Sequence, residues 1–310
     1  MVVEADESDG TFARLPSVIS IITNIDPEHL DYYGSFDAAK AAFVAYARAL
    51  PFYGAVIACI DHPVVAELIP QFQRRTITYG FSEKADIRAL NVQTTPAGVV
   101  FDVSGLAGSV KGVRLPMFGL HNIVNSLTAF ATGHVLGLAS ETVATALAQF
   151  SGVKRRFTTT GIVGGITIID DYGHHPVEIA AVLQAGKDAA AATGGKIIAV
   201  MQPHRYTRLS NLFDDFCACF DKADEIIIAD VYAAGEELIE GFSRDALVEG
   251  IKKTGKKNVY SLPSPQDLAT MISKIAKPND FVICLGAGSI TQWAHSLPKE
   301  LEGVKAAHHG

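Results

Sequence analysis

The chain has 310 residues, of which 48% are hydrophobic and 19% charged, and its formal net charge is −7. That length exceeds what one hydrophobic core usually covers and points to two domains. The acidic balance argues against a nucleic-acid partner or an anionic membrane surface, so an anionic substrate must be met by local basic residues.

In chain order, Val2–Val3 predict a short strand and Ser17–Thr23 a second. Asp37–Leu50 is alanine-rich, with apolar positions at Phe43, Val44 and Ala47, and predicts a helix. Ala55–Ile60 follows as a strand and His62–Ile69 as a short helix, the β-α-β alternation of a parallel sheet. From Arg75 to Leu115 the segments RTITYG, DIRALNV, GVVFDVSG and SVKGVRLP alternate at the spacing of antiparallel strands. Gly119–Leu138 and Glu141–Phe150 read as helices. Residues 115–140 carry no charge, but Asn122, Asn125 and Thr132 interrupt them, which predicts a buried helix and not a membrane span.

A second alternating block has strands at Ile166–Asp170, Lys196–Met201, Glu225–Val231, Asn258–Ser261 and Asp280–Leu285. Helices lie between them near 176–192, 207–221, 243–254 and 265–276, the pattern of a doubly wound domain. The predicted fold class is therefore α/β: a partial central parallel sheet with an antiparallel insertion over residues 1–152, then a Rossmann-like domain over 153–310. The AAHHG tail is expected to be disordered. Cys59, Cys217, Cys219 and Cys284 form no CxxC pair and predict buried thiols in a reducing compartment, and the N-terminus lacks a signal-peptide pattern.

Polar clusters gather where strands end. EADESD at Glu4–Asp9 offers four carboxylates, suited to a hard cation. TNIDPEHLD at Thr23–Asp31 places His29 among Asp26, Glu28 and Asp31, a second half for one shared metal site, and Lys40 follows on the next helix. GLHNIVNS puts Asn122 and Asn125 on one helical face, where paired amides can read an adenine edge or simply cap the helix. KRRF at Lys154–Phe157 suits phosphate contact. DDYGHHPVE at Asp170–Glu178 crowds Asp171, Tyr172, His174 and His175 at one strand end, with a metal-dependent hydrolase as the competing reading. QPHRYTR supplies His204, Arg205 and Arg208, a basic cluster for a phosphate or carboxylate. GAGS at Gly286–Ser289 allows close approach by a ligand or by backbone. No GxxxxGK[ST] occurs, and GGK at Gly194–Lys196 precedes a strand, so it reads as a turn.

Taken in order, EADESD, TNIDPEHLD, HNIVNS, KRRF, DDYGHHP, QPHRYTR and GAGSI resemble the Mur ligase family over essentially the whole chain. DDYGHHP with QPHRYTR resembles the member that adds L-alanine. The resemblance implies an ATP- and Mg²⁺-dependent, cytoplasmic ligase of peptidoglycan precursor synthesis, joining L-alanine to UDP-N-acetylmuramate through an acyl phosphate. It implies Glu4 and His29 on Mg²⁺, and Lys40 at a position that some members carbamylate. It further implies Asn122 and Asn125 on adenine, Arg156 on phosphates and Asp171 on ribose. Tyr172, His174, His204, Arg205 and Arg208 would surround the muramate carboxylate and L-alanine. In the family a UDP-binding domain and the ATP loop precede EADESD, so the chain alone is expected to need that N-terminal region. A murein-peptide recycling ligase and a non-catalytic binding protein of the same fold are the alternatives.

Overall fold

The computed structural model describes the chain apart from residues 96–97, 151, 192 and 310 and the side chains of residue 31 and residues 305–309. Its contacts divide into two compact units: Met1–Gln93, Val99–Pro116 and Leu120–Phe150 form one, and Thr94–Gly98, Met117–Gly119 and Ser151–Gly310 the other.

The first unit carries β1 (Ile19–Ile22), α1 (Leu30–Tyr33), α2 (Phe36–Ala49), β2 (Ala55–Cys59), α3 (Pro63–Leu68), β3 (Arg75–Gly80), β4 (Ile87–Thr95), β5 (Gly98–Gly105), β6 (Val110–Leu115), α4 (Leu120–Leu136) and α5 (Ser140–Ala148). Among the described residues its strands form one sheet in sequence order, β1 to β6. Ser35 caps α2 by accepting from the Ala38 amide, and the helix buries Ala39, Val44, Tyr46 and Ala47. Val44 and Ala47 pack with Val56 and Ala58 of β2, whose five residues are all buried, as expected of a strand covered on both faces.

Three expectations need correction here. Val2–Val3 form no strand: residues 1–7 have no regular structure and Val2 is 97% exposed. Apolar β-branched residues make a strand only where a neighbour supplies its hydrogen bonds, and among the described residues none pairs with them. RTITYG is not part of an antiparallel insertion; it is β3, running parallel to β2 with Ile77 opposite Ile57. An antiparallel pair does occur further on, between β5 and β6. Residues 306–309 of the AAHHG tail are not an unstructured end, since the helix backbone of the last element continues to His309, and Gly310 lies outside the described residues.

The second unit contains β7 (Thr158–Val163), β8 (Ile166–Asp171), α6 (Pro176–Ala190), β9 (Ile197–Met201), α7 (Tyr206–Asn211), α8 (Phe213–Ala218), β10 (Glu225–Ile228), α9 (Arg244–Lys253), β11 (Val259–Ser261), α10 (Leu268–Ile275), β12 (Phe281–Leu285) and α11 (Ile290–His309). The order β11-β10-β9-β12-β8-β7 is parallel except for β7. Alternate residues of β9 and β12 feed opposite cores. Ile197, Ala199, Met201, Ile283 and Leu285 meet α6, α8 and α9. Ile198, Val200, Val282 and Cys284 meet α10 and α11. Each such isoleucine or leucine contributes roughly 1.5–3 kcal/mol by leaving water. All four cysteines are buried and unpaired.

Sequence reading missed β7. Its signal was available: Gly164 and Gly165 have φ of 55° and 78° and join Val163 to Ile166 in a two-residue hairpin. The GGK segment is a packing turn. Gly194 has a left-handed φ of 67°, and a Cβ on Gly195 would overlap the Asn279 carbonyl oxygen. Gly195→Ala should therefore cost about 1–3 kcal/mol of stability by overpacking against immobile backbone, read as a lower urea midpoint with an unchanged slope.

Candidate active site

In the first unit, local hydrogen bonding sorts the carboxylates of EADESD. Asp6 accepts from the Ser8 amide and Asp9 from the Thr11 amide and hydroxyl, so both shape turns. Glu4 is exposed. Glu7 is the acidic residue brought to His29, with Oε1 3.7 Å from Nε2, and Glu28 Oε2 lies at the same distance. Two tyrosines of α1 place this segment. The Tyr33 hydroxyl donates to the Glu7 carbonyl at 2.6 Å. Tyr32 packs on Gly10, whose φ of 68° and lack of a Cβ make room for the ring.

His29 sits at φ 55°, ψ 34°, a left-handed conformation that costs a non-glycine residue about 1–3 kcal/mol. The preceding turn holds it there: the Glu28 amide donates to the Asp26 carbonyl at 2.7 Å. The Asp26 carboxylate is itself fixed by Asn24 Nδ2 at 2.7 Å and His62 Nε2 at 3.4 Å. His62 was not singled out in the sequence, because its partner lies 36 residues earlier. Among the described residues, Glu7, Glu28 and His29 are the one grouping whose ligand atoms all lie within 4.8 Å of each other. Two carboxylates and one imidazole fit a small divalent cation such as Mg²⁺ or Mn²⁺. Lys40 Nζ pairs with Asp37 Oδ1 at 2.9 Å, and that hydrogen bond raises the lysine pKa, favouring the ammonium over a reactive neutral amine. Asn122 is half-buried in the first turn of α4 and Asn125 is exposed one turn on.

In the second unit, β8 ends in two buried aspartates with different tasks. Asp171 accepts the Phe157 amide at 2.7 Å through Oδ2 and the Gly173 amide at 2.7 Å through Oδ1. It thus ties the KRRF segment to the turn after β8. Asp170 Oδ2 accepts from the Thr291 hydroxyl at 2.7 Å, under the start of α11. Tyr172 lies between arginines: the Arg155 guanidinium is 4.5 Å from its ring centroid and that of Arg156 5.6 Å, with His174 edge-on at 5.0 Å. Arg155 also donates to the Gly286 carbonyl at 2.8 Å.

Glu178 makes the capping box of α6 with His175 and accepts the His174 and His175 amides at 3.0 and 3.2 Å. That employment as a helix cap removes the support for a His174–Glu178 metal pair. His174 Nδ1 lies 3.0 Å from the Tyr172 carbonyl, which can only accept, so the neutral ring carries its proton on Nδ1 and keeps a lone pair on Nε2. Burial lowers its pKa.

His204 and Arg208 stand one helical turn apart with Arg208 Nη1 3.3 Å from His204 Nδ1, and His204 is 6.1 Å from His174 between ring centroids. Burial, then the Arg208 charge, pushes the His204 pKa down to about 4. Arg205 is exposed at φ 70°, ψ 138°. This cluster presents neutral imidazoles beside permanent cations, a combination that binds an anion without adding proton-dependent charge. The GAGS glycines serve packing: a Cβ on Gly288 would press on Gln202 Oε1 and the Tyr232 ring, and Gln202 Oε1 accepts the Ile290 amide at the start of α11.

Fold and clusters together describe a two-unit α/β protein with mostly parallel sheets and polar side chains gathered in each unit, and the similarities are specific. Residues 1–133 match the Mur ligase middle domain and residues 155–288 the Mur ligase glutamate ligase domain. The chain belongs to the Mur ligase family. It is 55% identical, over 98% of its length, to the UDP-N-acetylmuramate–L-alanine ligase of Rhodospirillum rubrum, of which it covers 64%. It is 58% identical, over 97%, to the ligase of the same name from Parvibaculum lavamentivorans, of which it covers 62%. The crystal structure of the Thermotoga maritima UDP-N-acetylmuramate–alanine ligase superposes with a TM-score of 0.78 at 25% identity, covering 96% of this chain and 63% of that one. The chain thus spans a little under two thirds of these relatives. Among the described residues no helix is long and apolar enough to cross a membrane.

Two measurements probe these clusters. With Mn²⁺ as the probe, His29→Ala and Glu7→Gln should weaken binding to the chain at least as much as the roughly 10-fold that loss of an outer partner costs. Glu4→Gln should leave it unchanged; an equal loss there, by titration calorimetry, would move the site towards Glu4. The second concerns Asp171, whose pKa burial raises from 3.8 to about 6 against the opposing backbone amides. The folded state keeps a proton that the unfolded chain releases, so this stabilising contribution is complete below about pH 4 and is lost as pH rises to 6. The loss is about 3 kcal/mol at most. Asp171→Asn should flatten the urea-midpoint profile between pH 4 and 6 relative to the parent.

Proposed function

We propose that the chain is the middle and C-terminal part of an ATP-dependent ligase that joins L-alanine to UDP-N-acetylmuramate in cytoplasmic peptidoglycan precursor synthesis. The observation that carries this reading is the high identity to two ligases of that name across both units. It is supported by the histidine–arginine cluster of the second unit, whose chemistry suits an anionic substrate.

The reaction has two steps. A carboxylate oxygen of the muramate attacks the γ-phosphorus of ATP, releasing ADP and leaving an acyl phosphate. The L-alanine amine then attacks the acyl carbon and phosphate departs with the bond electrons. Mg²⁺, when bound, neutralises the phosphate charge that builds up during transfer. His29 would hold it, with Glu4 by resemblance or Glu7 and Glu28 by geometry. Lys40 contributes a held positive charge. Asn122 and Asn125 face adenine, Arg156 the phosphates and Asp171 the ribose, in addition to its backbone-anchoring role. Arg205 and Arg208 bind carboxylate, Tyr172 flanks them, and the free Nε2 of neutral His174 accepts the proton shed by the alanine ammonium. His204 stays a neutral imidazole beside Arg208.

This sequence has no GxxxxGK[ST]. The assay therefore places the N-terminal third of the Rhodospirillum rubrum ligase ahead of Met1 and follows phosphate release with ATP, Mg²⁺, UDP-N-acetylmuramate and L-alanine. Turnover should require L-alanine, and Arg205→Ala should lower kcat/KM about 100-fold, the scale of a lost charge-assisted contact. Turnover with a murein tripeptide in place of L-alanine would make this the recycling ligase. Absence of turnover with either would leave a binding protein of the same fold.

A further inference from the structure

The loop after β10 reaches the anion cluster through Tyr232, which belongs to none of the sequence motifs. Its backbone forms a parallel bridge with the HRYTR segment: the Tyr232 amide donates to the Pro203 carbonyl at 2.8 Å, and the Arg205 amide donates to the Tyr232 carbonyl at 2.9 Å. Its ring stacks on His204, with centroids 5.5 Å apart and planes 12° from parallel. The Tyr232 ring also packs on Gly288, where a Cβ would stand 2.7 Å from Tyr232 Cγ. Four residues further on, Glu236 holds the Thr207 amide at 3.0 Å and the Thr207 hydroxyl at 2.7 Å. Tyr232 is nevertheless 41% exposed, so it is not a core residue.

We propose that Tyr232 is a positioning residue for His204 and Arg205: its ring sets the imidazole plane, and its carbonyl holds Arg205 in the left-handed conformation that aims the following turn. Two independent contacts, one through the ring and one through the backbone, converge on the same pair of residues. A Cβ on Gly288 would meet Gln202 Oε1 at 2.6 Å and Tyr232 Cγ at 2.7 Å, so a larger residue there would crowd the ring that stacks on His204. The proposal rests on reading His204, Arg205 and Arg208 as the substrate-anion site.

The test has two arms. In the chain itself, the His204 ring is titrated by NMR, with His204→Gln identifying its signal. The groups facing His204 are Arg205 and Arg208 on its own segment, His174 after β8 and Glu236 after β10. Tyr232→Ala uncovers the ring, so the midpoint should rise by about one pH unit or more towards its ordinary value, whereas Tyr232→Phe keeps the stack and the parent midpoint. In the fusion, Tyr232→Ala should raise KM for the substrate whose carboxylate is bound about tenfold, the scale of one misplaced polar contact. The kcat should change far less, and Tyr232→Phe should restore the parent KM. Tyr232→Leu repeats both arms with a bulky apolar side chain if the alanine variant does not fold. A parent-like His204 midpoint together with a parent-like KM in the Ala or Leu variant overturns the proposal. If instead Arg205→Ala and Arg208→Ala leave KM unchanged, the anion-site reading fails, while the His204 titration still decides whether Tyr232 positions the ring.

Discussion

Much of the second unit's chemistry depends on one buried carboxylate. Asp171 ends β8 with both oxygens given to backbone amides, those of Phe157 and Gly173. Removing such an acceptor strands two buried donors, each worth roughly 1–3 kcal/mol. The first bond fixes KRRF, which needs left-handed φ values of 62° at Arg155 and 49° at Phe157. The second fixes the turn that presents Tyr172 and His174. A strand end that holds two loops at once can set the spacing between an arginine pair and an imidazole more rigidly than either loop could alone.

The same economy appears around Gly286–Ser289. Gln202 caps α11, Arg155 takes the Gly286 carbonyl, and Tyr232 packs on Gly288. Three segments that carry site residues are therefore referenced to one glycine turn. In the first unit the corresponding anchor is α1, a four-residue helix whose two tyrosines hold the acidic segment against His29. In the second unit Asp171, His204 and Tyr232, and in the first unit His29, lie at or past the carboxyl ends of parallel strands, where the backbone leaves the sheet and side chains can converge.

The doubly wound character of residues 153–310 was legible because its strands are continuous apolar runs such as KIIAV and FVICL, bounded by helical stretches. The helix over Leu120–Leu136 was legible for the same reason. Val2–Val3 was misread because apolar composition signals burial and says nothing of a pairing partner. RTITYG was misread because alternation does not distinguish a parallel from an antiparallel neighbour. The basic cluster at QPHRYTR was found from its charge alone. Tyr232, His62 and Glu7 were not distinguished, since a tyrosine in DVYAAGE, a histidine before a proline and one carboxylate among four carry no local mark of their role.

The sequence by itself determined the alternation of strands and helices, the residue types gathered at strand ends and the order of motifs that defines the family. These follow from local patterns, because hydrophobic period and turn chemistry act over a few residues. Only the tertiary structure decided that Glu7 meets His29, that Asp171 reaches the Phe157 amide and that Tyr232 lies on His204. Those outcomes join residues that lie on different elements of the chain. They depend on strand order and on which buried donors must be satisfied, and neither is written in the neighbourhood of any one residue.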